Sequence, residues 1–230
     1  MRWFGRFFSY HQDLFGELRD YSLPAAPMAS AMVQWYPGAH FSRGPASYFG
    51  VLLSGALPFA ISSRDSSGMQ YGTTAYSFDL GIRGRIPLAR HEIGLHATYG
   101  QQRFAIDNQG GGGAMAAVPG VPPVAYQHVR PGLSAVLSLS DRVSLWLSGS
   151  GLIVLSAGEI TAQYFSRASV YGVEAQLGVQ IAIASGFSAQ LMAEARRYIY
   201  AMQPMVQDRW IAGGALDHYL NAGVMLAYRR

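Results

Sequence analysis

Nine ionisable side chains recur on one parity of largely uncharged segments, at even separations wherever a segment holds more than one: Asp79, Arg83 and Arg85; His96; His128 and Arg130; Glu174; Glu194 and Arg196. Guanidinium forks and carboxylates in this mix can close on one another as ion pairs. Alternatively they can line a narrow water path, in which an excess of arginine over acid favours anions. Other residue types that do chemistry are present at the wrong spacing. His91 and His96 flank Glu92 at i and i+5, and in an extended segment the two rings face opposite sides, so they cannot share a zinc ion. The run from Gly110 to Gly113 has no lysine behind it and opens no helix, which rules out a phosphate cradle. Ser148 and Ser150 lack the G-x-S-x-G frame of a nucleophile elbow. Asp217-His218, with Asp107 and Glu159 in other connections, is the constellation that a hydrolase or acyltransferase working at a rim could use. A histidine next to an aspartate is more often a solvated turn, so no catalytic residue, cofactor or metal is expected.

The elements that carry these residues are strands. From Ser169 to Ala184 the chain alternates without a slip: Tyr171, Val173, Ala175, Leu177, Val179, Ile181 and Ile183 on one parity, Val170, Gly172, Glu174, Gln176, Gly178, Gln180 and Ala182 on the other. Period two means a strand with one apolar face, here as long as the roughly 9–11 tilted residues that cross a bilayer. The pattern returns at 76–86, 93–104, 187–201 and 220–228, in the pair that flanks Asp141, and earlier at 49–59 and 31–35. On every segment these nine residues fall on the polar parity. They therefore share one face, the inside of a closed cylinder.

Composition narrows the class. Charged residues are 13% of the chain, about half the ~25% of soluble domains, and no stretch approaches the ~18 unbroken apolar residues of a membrane helix. A soluble lipocalin-like ligand-binding barrel would turn its apolar face inward and cover the outside with lysine and glutamate. Here the polar parity is mostly Ser, Gly, Gln and Thr, all 17 basic residues are arginine, and the chain has no cysteine, hence no disulfide framework. The net charge of +4 is scattered rather than gathered in a stripe, so nucleic acid is not an expected partner. The fold expected is all-β, an antiparallel up-and-down transmembrane β-barrel of about ten strands, with 8 or 12 as alternatives, in a single domain over 1–230.

Connection lengths orient the barrel. The joints at Pro87 to His91, Ser140 to Arg142 and Ser185 to Gly186 are short, whereas those at 62–70, 107–123, 156–168 and 202–215 are long. Short turns at one end and long loops at the other is the outer-membrane arrangement, with the loops extracellular and the termini periplasmic. An even strand count needs a strand before 28–36, and Arg2 to Tyr10 is the candidate, leaving 11–27 as the first outer loop with a helical turn at Asp13 to Arg19. Outward Tyr76, Tyr99 and Tyr171 gather at the loop end, and Trp35, Phe49, Phe187 and Tyr228 at the turn end. Two aromatic girdles around an apolar band are what membrane interfaces select.

Asn221, Gly223, Leu226 and Tyr228 resemble the polar-x-Gly-x-x-apolar-x-aromatic signal on the last strand of Gram-negative outer-membrane β-barrel proteins. The resemblance implies insertion by the barrel-assembly machinery, residence in the outer membrane and no cofactor. The trailing Arg229-Arg230 departs from the pattern, which usually stops at the aromatic residue. Met1-Arg2-Trp3 is not followed by the apolar core and cleavage site of a signal peptide, so the chain reads as a mature fragment or as the C-terminal barrel of a longer precursor. Arg103 and Arg197 fall on outward parity just beyond the apolar band at the loop end, where arginine forks suit lipopolysaccharide phosphates. The function expected is a non-enzymatic, monomeric barrel that passes small solutes through a narrow pore or anchors attached domains.

Overall fold

In the computed structural model, which describes residues 1–64, 70–106, 123–184 and 186–228 and only the backbone of Arg64 and Gln70, the chain is a closed antiparallel barrel of ten strands. In chain order these are β1 (Arg2–His11), β2 (Tyr21–Trp35), β3 (Phe49–Pro58), β5 (Gln70–Leu88), β6 (His91–Ile106), β7 (Val124–Ser138), β8 (Val143–Ser156), β9 (Ser169–Ala184), β10 (Phe187–Ala201) and β11 (Gly214–Tyr228). A three-residue β4 (Ser62–Arg64) prolongs the β3–β5 hairpin by pairing with Gln70 to Gly72. Each strand pairs with its chain neighbour, and β1 returns to β11 with a register from Arg2↔Gly223 to His11↔Gly214. Closure matters because hydrocarbon holds no water to satisfy a sheet edge.

Alternation sorts the side chains as period two requires. Leu177 is 53% exposed on the outer wall, while Glu174, three residues away, is 4% exposed inside. Val173, Ile181, Leu191 and Leu220 also face out, and Phe187 and Tyr228 form part of the turn-end girdle with ring centroids 4.9 Å apart. An apolar exterior around a polar interior excludes the soluble lipocalin-like alternative. β1, in which both parities are aromatic, divides them by direction: Trp3 lies on the outer wall, whereas Phe4 and Phe8 are buried in the lumen.

Three local expectations need correction. The first outer loop is shorter than expected, because β2 begins at Tyr21. It holds no helical turn; instead the Asp13 carboxylate accepts the backbone N–H groups of Phe15 (3.2 Å) and Leu18 (2.9 Å), a local bond that competes with helix. Turns at one end are not uniformly short either. Ala89 takes a left-handed φ of 53° in the two-residue β5–β6 turn, and Gly186, φ 85°, does so at β9–β10. The β2–β3 connection at the same end nevertheless runs from 36 to 48 through two 3-10 turns. Most of the expected loop at 107–123, with Gly110 to Gly113 and Asp107, lies outside the described residues, as do Ser185 and Arg229-Arg230.

The inside–outside assignment gives a contrast. Leu177→Arg places a charge against hydrocarbon and is expected to cost about 2–4 kcal/mol. Gln176→Arg enters a lumen where Gln176 already donates to Glu174 (2.6 Å) and Glu194 (3.4 Å), and is expected to be mild. Urea midpoints of the refolded barrels, read by heat-modifiable gel migration, check this; equal losses would contradict it.

Candidate functional site

Strand parity delivers all nine of the ionisable residues to the lumen, and the structure brings six of them together. Glu174 on β9 takes Arg130 of β7 on one oxygen and Arg196 of β10 on the other, the latter through Nε at 2.6 Å. Asp79 on β5 receives His128 Nε2 at 3.3 Å and Arg130 at 3.5 Å, with Arg196 at 3.9 Å. Glu194 completes the group with Arg196 at 3.8 Å and Asn221 Nδ2 at 3.0 Å. Each carboxylate thus meets more than one donor, which is the condition under which buried charges are tolerable. The remaining three lie apart. Arg83 pairs with Glu92 (2.8 Å) and with Gln34, Arg85 sits 4.0 Å over the Tyr36 ring nearer the turn end, and His96 bonds Ser150 at 3.0 Å.

Glycines make room for these groups. A Cβ on Gly100 would run into Asp79 and His128, one on Gly94 into Arg83 and Ser134, and one on Gly132 into His96 and Ser150. In sequence these glycines merely alternate with apolar residues. Their role follows from what lies across the lumen.

The most buried group was not legible in advance. Arg6 of β1 grips Asp217 of β11 with two parallel bonds, Nε to Oδ1 at 2.9 Å and Nη2 to Oδ2 at 2.8 Å, and both side chains are 0% exposed. Tyr126 (2.7 Å) and Tyr219 (3.0 Å) donate to the same carboxylate, and Tyr126 shares a 2.5 Å bond with Tyr200. The guanidinium lies 4.2 Å over the Phe104 ring, and the Tyr126 and Tyr198 rings stack 3.6 Å apart. Arg2, also unassigned from sequence, binds Glu194 at 3.2 Å. The available signal was Arg2 and Arg6 four residues apart on one parity of a strand that drew notice only for its aromatics.

Asp217 is therefore not a rim residue. Neighbours on a strand face opposite ways, so Asp217 points into the lumen while His218 points outward and accepts Arg197 Nε at 3.0 Å. They form no dyad. Arg103 on β6 and Arg197 on β10 are separated by β7, β8 and β9, roughly 19 Å at ~4.8 Å per strand, so they cannot grip one phosphate.

The lumen is closed at the loop end. Phe8, Phe104, Tyr126, Tyr198, Tyr200 and Tyr219 fill it, and Ile160, Phe165, Met202 and Ala212 from the connections are buried against them. Arg167 ties two of those connections together through Asp208 and the Gln203 carbonyl (3.0 Å). That guanidinium, aided by the Met205 N–H at 2.7 Å, holds the Asp208 carboxyl below the usual range. Toward the turn end a cavity of about 70 Å³ remains below the ion pairs. A larger depression of about 830 Å³ lies on the lipid-facing wall, lined mostly by small and apolar residues such as Gly149, Ala175, Ala193 and Leu177.

Comparison with solved structures places the fold. The chain is similar to outer membrane protease OmpT from Escherichia coli, with a TM-score of 0.54 at 12% identity, over 99% of this chain and 96% of that one. Weaker similarities are to the KdgM porin, at TM-score 0.34 and 8% identity over 100% and 99% of the two chains, and to outer membrane protein AlkL, at 0.32 and 9% over 100% and 92%. No protein-family model matches the sequence, and no curated protein matches it. The fold is that of the outer-membrane β-barrel proteins.

The Arg6–Asp217 pair can be tested by a cycle. Removing one partner of a fully buried pair costs about 3–5 kcal/mol because the other charge is stranded. Arg6→Met and Asp217→Leu are each expected to lose that much, and the double variant less than either. Urea unfolding of the four proteins measures it.

Proposed function

We propose that this chain is a non-conducting, non-enzymatic outer-membrane barrel that acts as a monomeric membrane anchor. One observation carries the reading: the lumen is crossed at two levels by buried side chains, the Asp79–Glu174–Arg130–Arg196 network and, toward the loops, the Arg6–Asp217 pair with its tyrosines. A pore needs a continuous wet path, and sealed ion pairs and stacked rings fill the section instead. The asymmetry of connection lengths favours extracellular loops and periplasmic turns and termini. Asn221, Gly223, Leu226 and Tyr228, all on β11, fit a signal for the barrel-assembly machinery.

OmpT is a protease, but the loop end of this chain does not favour such a reading. The hydrogen-bonded histidine–carboxylate pair among the described residues is His128–Asp79, which is sealed in the lumen. Glu159 is exposed beside a short π-helical turn, with no histidine bonded to it.

Purified protein in planar bilayers is expected to show no conductance steps, whereas a variant with Tyr126, Tyr198 and Tyr200 all replaced by Ala, together with Arg130→Ala and Arg196→Ala, is expected to conduct. Steps from the unaltered protein would overturn the anchor reading in favour of the narrow pore. Arg103 and Arg197 serve in this reading as two separate contacts for lipopolysaccharide phosphate. Each single change to Gln is expected to lower the lipopolysaccharide that co-purifies; no change in the double variant would remove the assignment.

A further inference from the structure

The outer wall is hollowed on one side. From β8 to β11 small residues meet across the strands: Gly149 lies opposite Ala175 and Ala175 opposite Ala195, while Ala193 lies opposite Ala222. All five stand on the outward parity of their strands. They floor the depression of about 830 Å³, and the larger Trp3, Leu133, Leu147 and Leu177 border it. A Cβ added to Gly149 would meet no atom within 4 Å, so the floor is open to lipid. Elsewhere the wall is built differently: β3 and β5 present Val51, Leu53, Leu80 and Ile82 to the bilayer. The volume of the hollow falls within the roughly 300–1,000 Å³ of small-molecule sites.

A cation stands at the loop-side border of this groove. Arg197 is two residues beyond Ala195 on β10, and His218 is two residues before Leu220 on β11, each displacement being about 7 Å along a strand. Arg197 Nε donates to His218 Nδ1 at 3.0 Å, and its two Nη nitrogens have no protein partner among the described residues. An unneutralised charge beside hydrocarbon is costly. One lipid molecule supplies both missing contacts: a hydrocarbon chain gives the wall atoms of the hollow their dispersion partners, and a phosphate accepts the guanidinium fork.

We propose that this groove is an acyl-chain site for lipopolysaccharide, with one chain lying over Gly149, Ala175 and Ala195 and a phosphate of the same molecule on Arg197. The headgroup sits on the loop side of the chain, as the position of Arg197 beyond Ala195 requires. This inference rests on the proposed lipopolysaccharide contact of Arg197 and on loops that face outside. It adds a second, apolar half to that contact, so affinity depends on the shape of the wall as well as on charge.

The test compares whole-chain variants in detergent. Gly149→Phe fills the groove, Gly55→Phe adds the same ring to the outer face of β3, where the nearest atom to an added Cβ is 3.8 Å away, and Arg197→Gln removes the cation. Binding of purified lipopolysaccharide is read by native mass spectrometry, and heat-modifiable gel migration verifies that each variant is folded. Gly149→Phe and Arg197→Gln are each expected to weaken binding about tenfold, equivalent to about 1.4 kcal/mol, and Gly55→Phe to leave it unchanged. With deacylated lipopolysaccharide only Arg197→Gln should matter, since no chain remains to occupy the groove. A loss in Arg197→Gln with none in Gly149→Phe would overturn the groove and leave the phosphate contact standing, whereas no loss in either would remove both. An equal tenfold effect of Gly149→Phe on phosphatidylglycerol would also overturn the proposal, because the hollow would then hold ordinary bilayer lipid.

Discussion

The absence of water in the bilayer core governs this molecule. Each backbone N–H and C=O must find its partner along a strand edge, and each side chain pointing away from the axis must be apolar. These demands together account for the continuous ladder from β1 round to β11, the strict alternation of β9, and the collection of nearly all the polar chemistry on the inner face. A hairpin could satisfy the second demand but not the first.

Once polar groups are confined to a narrow cylinder, they must satisfy one another. Three arginines, three carboxylates and a histidine (Arg2, Arg130, Arg196, Asp79, Glu174, Glu194 and His128) interlock across the lumen, and the long side chains find space because glycines lie beside them. The Arg6–Asp217 pair closes the same ladder from inside, since β1 and β11 are the first and last strands and no connection joins them. Its energetics are those of a fully buried ion pair: expensive to desolvate, and more expensive to leave half-formed. Tyr126 and Tyr219 add neutral donors, so the carboxylate oxygens are saturated by groups from three strands.

The proposed anchor role draws on this filling of the lumen. The loop end is filled by aromatic rings and the middle by ion pairs, and among the described residues a small cavity remains toward the turn end. The same end carries the long 36–48 connection.

Much of the fold was legible from local pattern alone. Strand positions, the inward set from Asp79 to Arg196, the outward face of Leu177 and the girdles at Phe187 and Tyr228 follow from period two, which is a property of neighbouring residues. Partnership is different, because it depends on register across strands far apart in sequence. Arg6 and Asp217 are separated by 211 positions, and their union, the glycine clearances and the dismissal of Asp217-His218 as a rim pair emerged only when the cylinder closed. By itself the sequence determined which way each side chain points, because alternation along a strand is local. Which side chains meet was decided by tertiary structure, because the closure of the barrel alone sets who lies across the lumen from whom.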